Sequence, residues 1–139
     1  MPARIMAVNH DETTLEMLRE VLTDEGFEVM TRHAATLTLD EVRAFSPALL
    51  LLDWRFSEED QGMTLMQNMR LDRALADVPL LITTAASRRL HEIEDSLRVK
   101  GIAVLYKPYG IDELLATVAT QLAGADGARP AGKTPATPR

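Results

Sequence analysis

The sequence predicts a three-layer α/β sandwich: a parallel five-stranded sheet with five helices covering both of its faces. Two observations carry that expectation. Apolar runs of strand length recur five times along the chain, and the stretches between them place their apolar residues at helical spacing. Such alternation requires right-handed crossovers, which lay helices on both sides of a parallel sheet. A third observation is PALLLLDWRF, residues 47–56, where Leu49 to Leu52 suit a strand buried on both faces.

The elements follow in chain order. RIMAV (Arg4–Val8) is the first strand, and Leu15, Leu18, Val21 and Leu22 form the inward face of the helix after it. Gly26 stops that helix before FEVM (Phe27–Met30), the second strand. Thr38 and Glu41 have the spacing of a capping box, opening a short helix that ends near Phe45. Leu49–Leu52 is the third strand, and Met63, Leu65, Met66 and Met69 mark the next helix. VPLLIT (Val78–Thr83) is the fourth strand, after which Ser87 caps a helix carrying Leu90, Ile93 and Leu97. Ile102–Leu105 is the fifth strand, and Ile111, Leu114, Leu115, Val118 and Leu122 line the last helix. From Ala123 onward the chain is mostly Ala, Gly, Pro and Thr without apolar periodicity, so residues 1–122 are expected to fold and 123–139 to form a disordered tail.

Composition narrows the function. With 139 residues, 46% of them hydrophobic, the chain suits one globular domain with a real core. A formal charge of −6 argues against a general nucleic-acid binder, which shows a basic footprint. There is no cysteine for disulfides or thiolate metal sites. No apolar run is long enough to span a bilayer and none has signal-peptide form, so a cytoplasmic location is expected.

Parallel sheets of this type place their sites at the carboxyl ends of the strands. Asn9, His10 and Asp11 follow the first strand, Asp53 the third, Thr83 and Thr84 the fourth and Lys107 the fifth. One rim of the sheet therefore gathers a carboxylate, a hydroxyl and an amine. The leucines before Asp53 are core, and the aspartate is where that strand emerges into a shared pocket.

These residues resemble the receiver domain of two-component response regulators, over nearly everything before residue 123. The resemblance implies a flavodoxin-like fold with strand order 2-1-3-4-5. It makes Asp53 in LLLLDW the phosphoacceptor, Thr84 in LLITTAA the hydroxyl that contacts the phosphoryl group, and Lys107 in YKPYG the cation paired with it. It also implies a cis peptide before Pro108. A carboxylate is a poor nucleophile, but a phosphodonor with a good leaving group needs mainly positioning and charge neutralisation.

Three departures from the family pattern stand out. Where the family has two acids that hold Mg²⁺ with the phosphoacceptor, this chain has Asn9 and His10, with Asp11 one step on. The implied ligand set is then Asp53, Asn9, Asp11 and the backbone carbonyl of Arg55. Mg²⁺ binding is expected to be weak or absent, since His10 is a poor ligand for a hard ion. Asp11 is better employed as a helix cap, and a protonated His10 offers a stand-in for the ion. The loop after Asp53 is the second departure: Ser57 replaces a proline, and the acidic SEEDQ run delays the glycine to Gly62. The third is Val104, three residues before the lysine, where the family carries a switching aromatic; Tyr106 adjoins Lys107 instead. On this reading any switch is transmitted mainly through backbone movement.

The expected function is a stand-alone receiver, not an enzyme, that accepts a phosphoryl group on Asp53 from a histidine kinase or phosphotransfer protein. Its output is protein binding, or a homodimer, through the face of the fourth helix, fifth strand and fifth helix, where Arg88, Arg89, Glu92, Glu94 and Asp95 mix their charges. The alternative is a phosphorylation-independent pseudo-receiver, the same fold used as an interaction module with a degraded metal site. A haloacid-dehalogenase-type phosphatase is disfavoured because Arg55 stands where its second aspartate belongs, and no strand-end acidic pair follows Lys107. A flavodoxin-like cofactor binder is disfavoured because NHDETT offers no glycine-rich phosphate cradle.

Overall fold

The computed structural model describes residues 2–54, 62–85 and 88–127. Five strands, β1 (Arg4–Asn9), β2 (Glu28–His33), β3 (Leu49–Asp53), β4 (Leu80–Ala85) and β5 (Ile102–Lys107), alternate with five helices. The helices are α1 (Glu12–Asp24), α2 (Leu39–Phe45), α3 (Gly62–Leu71), α4 (Arg88–Val99) and α5 (Ile111–Gly127). All strand pairs are parallel, in the order β2-β1-β3-β4-β5. The predicted fold class is therefore the observed one.

Alternation along the strands sorts the side chains into two cores. Ile5, Ala7, Leu49, Leu51, Leu81 and Leu105 face α1 and α5, meeting Leu15, Leu18, Leu22, Leu114 and Val118. Met6, Val8, Leu50, Leu52, Leu80 and Ile82 face the other way, meeting Val42, Phe45, Met66, Met69 and Leu97. The four leucines of β3 are at most 2% exposed. Each such burial stabilises the fold by roughly 1.5–3 kcal/mol before entropy is counted, which holds β3 at the centre of the sheet.

Helix ends follow their local chemistry. Asp11 caps α1, its carboxylate accepting from the Thr14 amide. Thr38 and Glu41 form the capping box of α2, each side chain accepting from the other's backbone N–H. Gly26, at a φ of 95°, ends α1 in a conformation that side chains rarely adopt.

Several boundaries differ from expectation. β2 runs three polar residues beyond Met30, through Thr31, Arg32 and His33, because β1 supplies paired partners up to Asn9. β4 starts at Leu80, not Val78: Val78 and Pro79 belong to a connection whose carbonyls at Ala76 and Val78 are bound by the Arg70 guanidinium. β5 continues through Tyr106 and Lys107 alongside Thr84 and Ala85. At the carboxyl end, α5 runs through Gly127, past the Leu122 boundary expected from periodicity. The added segment, AGADG, sets two alanines against two glycines that each cost about 1 kcal/mol, so it extends a helix already nucleated over buried Leu114 and Val118 rather than forming one itself. Arg55, the SEEDQ run, Ser87, residues 128–139 and the side chains of Met63, Arg88, Arg89, Leu90 and Ile93 lie outside the described residues. Among the described residues, no helix is long and apolar enough to cross a membrane.

Candidate functional site at the carboxyl rim of the sheet

Asp53 ends the central strand and is only 4% exposed. A buried carboxylate is costly without a partner, and the register supplies one. Asp53 pairs with Thr83 on β4, Thr83 pairs with Leu105 on β5, and Lys107 lies two residues further on the same face. The Lys107 ammonium reaches back and donates to Asp53 Oδ1. The following Lys107–Pro108 peptide is cis.

The second oxygen of Asp53 faces His10. Nδ1 of His10 lies 3.8 Å from Asp53 Oδ2, beyond hydrogen-bond reach, and this buried nitrogen has no hydrogen-bond partner among the described residues. Tyr109 stands near enough that the negative charge of Asp53 adds to burial, the larger cause, in raising the phenol's pKa.

Thr84 is buried on the opposite face of β4, directly across the ladder from Tyr106. Its hydroxyl donates to the Trp54 carbonyl at 2.6 Å. The sequence marks Tyr106 only as the neighbour of Lys107, because the family's aromatic position falls on Val104. Strand periodicity puts residues 104 and 106 on one face, and that was the available signal. The Tyr106 hydroxyl donates to Glu94 Oε1 at 2.5 Å, its ring stacks on His91, and Arg98 holds the other Glu94 oxygen at 2.7 Å. Burial first, and then the Glu94 hydrogen bond, push the phenol up to about 12. The same hydrogen bond from Tyr106 holds the Glu94 carboxyl below its usual range.

The residues expected to hold a divalent cation are already engaged. Asn9 Oδ1 accepts from the Asp11 amide at 2.9 Å. The Asp11 carboxylate accepts from the Thr14 amide at 3.0 Å and the Thr14 hydroxyl at 2.6 Å, and these bonds lower its pKa, the hydroxyl foremost. Asp53 has Lys107 on one oxygen, and the fourth implied ligand, the Arg55 carbonyl, lies outside the described residues. No group of three acidic or histidine side chains among the described residues is placed to hold a metal. Among the described residues this donor set is a poor match for Mg²⁺, which takes several oxygen ligands in an octahedron: a single oxygen of Asp53 and a single oxygen of Asp11 are left beside an imidazole.

A parallel α/β sandwich in the strand order β2-β1-β3-β4-β5, with a buried aspartate and a lysine joined at its carboxyl rim, has the flavodoxin-like architecture of receiver domains. The chain belongs to the response regulator receiver domain family, whose pattern matches residues 5–119. It is 32% identical over 122 residues to the DNA-binding response regulator MtrA of Mycobacterium tuberculosis, covering 88% of this chain and 51% of MtrA. The chain thus spans about half the length of the MtrA regulators it matches. It is 25% identical over 126 residues to the polar-differentiation response regulator DivK of Brucella anthropi, covering 90% of this chain and all of DivK. Among solved structures, a CheY-like receiver domain protein of Methanospirillum hungatei superposes with a TM-score of 0.75 at 21% identity, over 91% of this chain and 98% of that one, a likeness of fold. Receiver domains are signalling modules that interact with histidine kinases or phosphotransfer proteins and with downstream partners, and they generally bind Mg²⁺ at an acidic site.

Proposed function

We propose that Asp53 accepts a phosphoryl group from a histidine kinase or phosphotransfer protein, and that the phosphorylated domain signals by binding another protein. The observation that carries this reading is the Lys107 ammonium on a buried Asp53 carboxylate at the sheet rim. Asp53 Oδ2 attacks phosphorus, the bond from phosphorus to the donor's imidazole nitrogen breaks, and that nitrogen leaves with the electron pair and takes a proton from solvent. Attack by the carboxylate form leaves no proton to remove from the acceptor. Lys107 neutralises charge beside the incoming group. Thr84 is the hydroxyl that turns to the new phosphoryl oxygen, giving up the Trp54 carbonyl. The surface of α4 and β5, where Glu94, Arg98 and Tyr106 interlock, is the contact face for the partner. A cytoplasmic location is part of this reading, since kinases of this class draw on ATP there.

Engagement of Asn9 and Asp11 within their own loop favours a second reading, an interaction module insensitive to phosphate. Incubation with acetyl phosphate and Mg²⁺, followed by intact-mass measurement, separates the two. Added phosphoryl mass on the wild type and none on Asp53→Asn is expected. A wild type that gains no mass under conditions that label an ordinary receiver leaves the module reading standing.

A further inference from the structure

We infer that phosphoryl transfer to Asp53 needs no divalent cation, because His10 presents an imidazole N–H where the metal would neutralise charge. This inference rests on the phosphoacceptor reading of Asp53 and concerns how the site works. Oδ1 is taken by Lys107, so the nucleophilic oxygen is Oδ2, the one that faces His10 Nδ1 at 3.8 Å. The separation is too long for a direct hydrogen bond, so Nδ1–H is unspent and available to a phosphoryl oxygen entering beside Oδ2. A buried nitrogen with no hydrogen-bond partner among the described residues is rare in folded proteins and calls for an explanation. A ligand oxygen supplies one.

The ring is held for this use. His33, at the end of the neighbouring strand β2, packs edge-on against His10 with centroids 6.0 Å apart at 78°. His33 is itself fixed, its Nδ1 accepting from the Ala35 amide at 3.1 Å. The carboxylate oxygen opposite favours the tautomer that carries the proton on Nδ1. Of the alternative oxygen donors, Asn9 Oδ1 accepts from the Asp11 amide within the loop, and Asp11 Oδ2 caps α1. With acetyl phosphate as donor, Oδ2 forms the new bond to phosphorus, the bond from phosphorus to the acyl oxygen breaks, and acetate leaves with the electron pair. Lys107 and His10 then flank the aspartyl phosphate, and no proton has to move.

The test labels the full chain with acetyl phosphate in EDTA and in Mg²⁺ and follows intact mass over time. Wild-type rates in the two conditions are expected to agree within about twofold, while His10→Ala labels at least about tenfold more slowly in EDTA, the loss of one donor to the reacting group. His10→Phe keeps the ring against His33 and lacks the donor, so it serves where His10→Ala unfolds, with the same expected loss. The fluorescence of Trp54, the sole tryptophan and the neighbour of Asp53, is expected to ignore Mg²⁺ in the wild type and to respond in His10→Asp. Wild-type labelling that EDTA abolishes overturns the inference and leaves Asp53 as acceptor. Labelling of a folded His10→Ala or His10→Phe at the wild-type rate in EDTA overturns it as well. Absence of labelling in both conditions defeats the phosphoacceptor reading, and the inference with it.

Discussion

Tyr106 lies directly across the β4–β5 ladder from Thr84, on the same face of the sheet. Thr84 bonds inward to the Trp54 carbonyl, and Tyr106 bonds outward to Glu94 on α4. One cross-strand pair thus links the strand end beside Asp53 to helix α4. Tyr106→Phe keeps the ring on His91 and removes only the hydroxyl. Because the Glu94 pair is partly solvated, the loss is expected to be about 1 kcal/mol, read as a lower urea midpoint at an unchanged slope. Added mobility of α4 follows, and amide hydrogen exchange along Glu92–Arg98 is expected to quicken while that of β3 stays as it was. Unchanged exchange in α4 would show that the hydroxyl does not pin the helix.

Thr84 gives the complementary test from the inner side. Thr84→Val preserves shape and deletes the donor to Trp54, whereas Thr84→Ser keeps the donor and deletes a methyl group. Loss of the buried hydrogen bond is expected to cost about 1 kcal/mol or somewhat more. The missing methyl, in a tightly packed strand, costs a comparable amount by a different route. Stability alone therefore cannot separate them, and the lifetime of the phosphorylated state can. Thr84→Ser is expected to retain the wild-type decay rate and Thr84→Val to lose it, as followed by the disappearance of phosphoryl mass.

The fold was legible in the sequence because its signals are local and redundant. Leu49 to Leu52 declare a strand buried on both faces, and Thr38 with Glu41 declare a helix start through two reciprocal hydrogen bonds. What sequence could not give was the extent of β2 and β5. Thr31, Arg32 and His33 have no apolar signature, and they are strand only because β1 offers them partners. The site divides the same way. Asp53 and Lys107 were visible as polar residues at strand ends, and their order along the chain implied that they meet. The role of Tyr106 was hidden because it depends on a pairing with Thr84 and on a glutamate twelve residues earlier, neither of which is a local pattern. His10 was visible as an oddity, but that its Nδ1 has no partner among the described residues is a property of packing.

The Asp53–Lys107 contact predicts a coupling that thermodynamics can isolate. Lys107→Met leaves a carboxylate that is 4% exposed without its ammonium. A fully buried broken pair costs roughly 3–5 kcal/mol, and the 39% exposure of the lysine side chain brings the expected loss to about 2 kcal/mol. Asp53→Asn removes the charge and nearly keeps the shape, so adding it to Lys107→Met is expected to restore most of that loss. Four urea melts complete the double-mutant cycle, with an expected coupling on the order of 1–2 kcal/mol. Strict additivity would mean that the ammonium does not stabilise the buried charge.

Both tyrosines of the chain, Tyr106 and Tyr109, have raised pKa values, and this fixes the behaviour of the protein in alkali. For Tyr106 the causes are burial and then the hydrogen bond and charge of Glu94, which together favour the neutral phenol and push it from 10.0 to about 12. A group whose folded pKa lies above its unfolded one binds its proton more tightly in the native state. Its contribution to stability is therefore fully present below pH 10 and is lost as pH rises from there to about 12. The near-ultraviolet phenolate absorbance of the native protein is expected to stay low at pH 10, where an ordinary tyrosine is half ionised, and to rise only above it. In denaturant the same chain is expected to titrate near 10, and stability is expected to fall between the two midpoints. Tyr106→Phe is expected to remove the later part of the native titration and to flatten that decline. A native protein that shows half of its phenolate signal at pH 10 would mean that Tyr106 is free of Glu94 and open to water, and that α4 is held to the sheet by its apolar face alone.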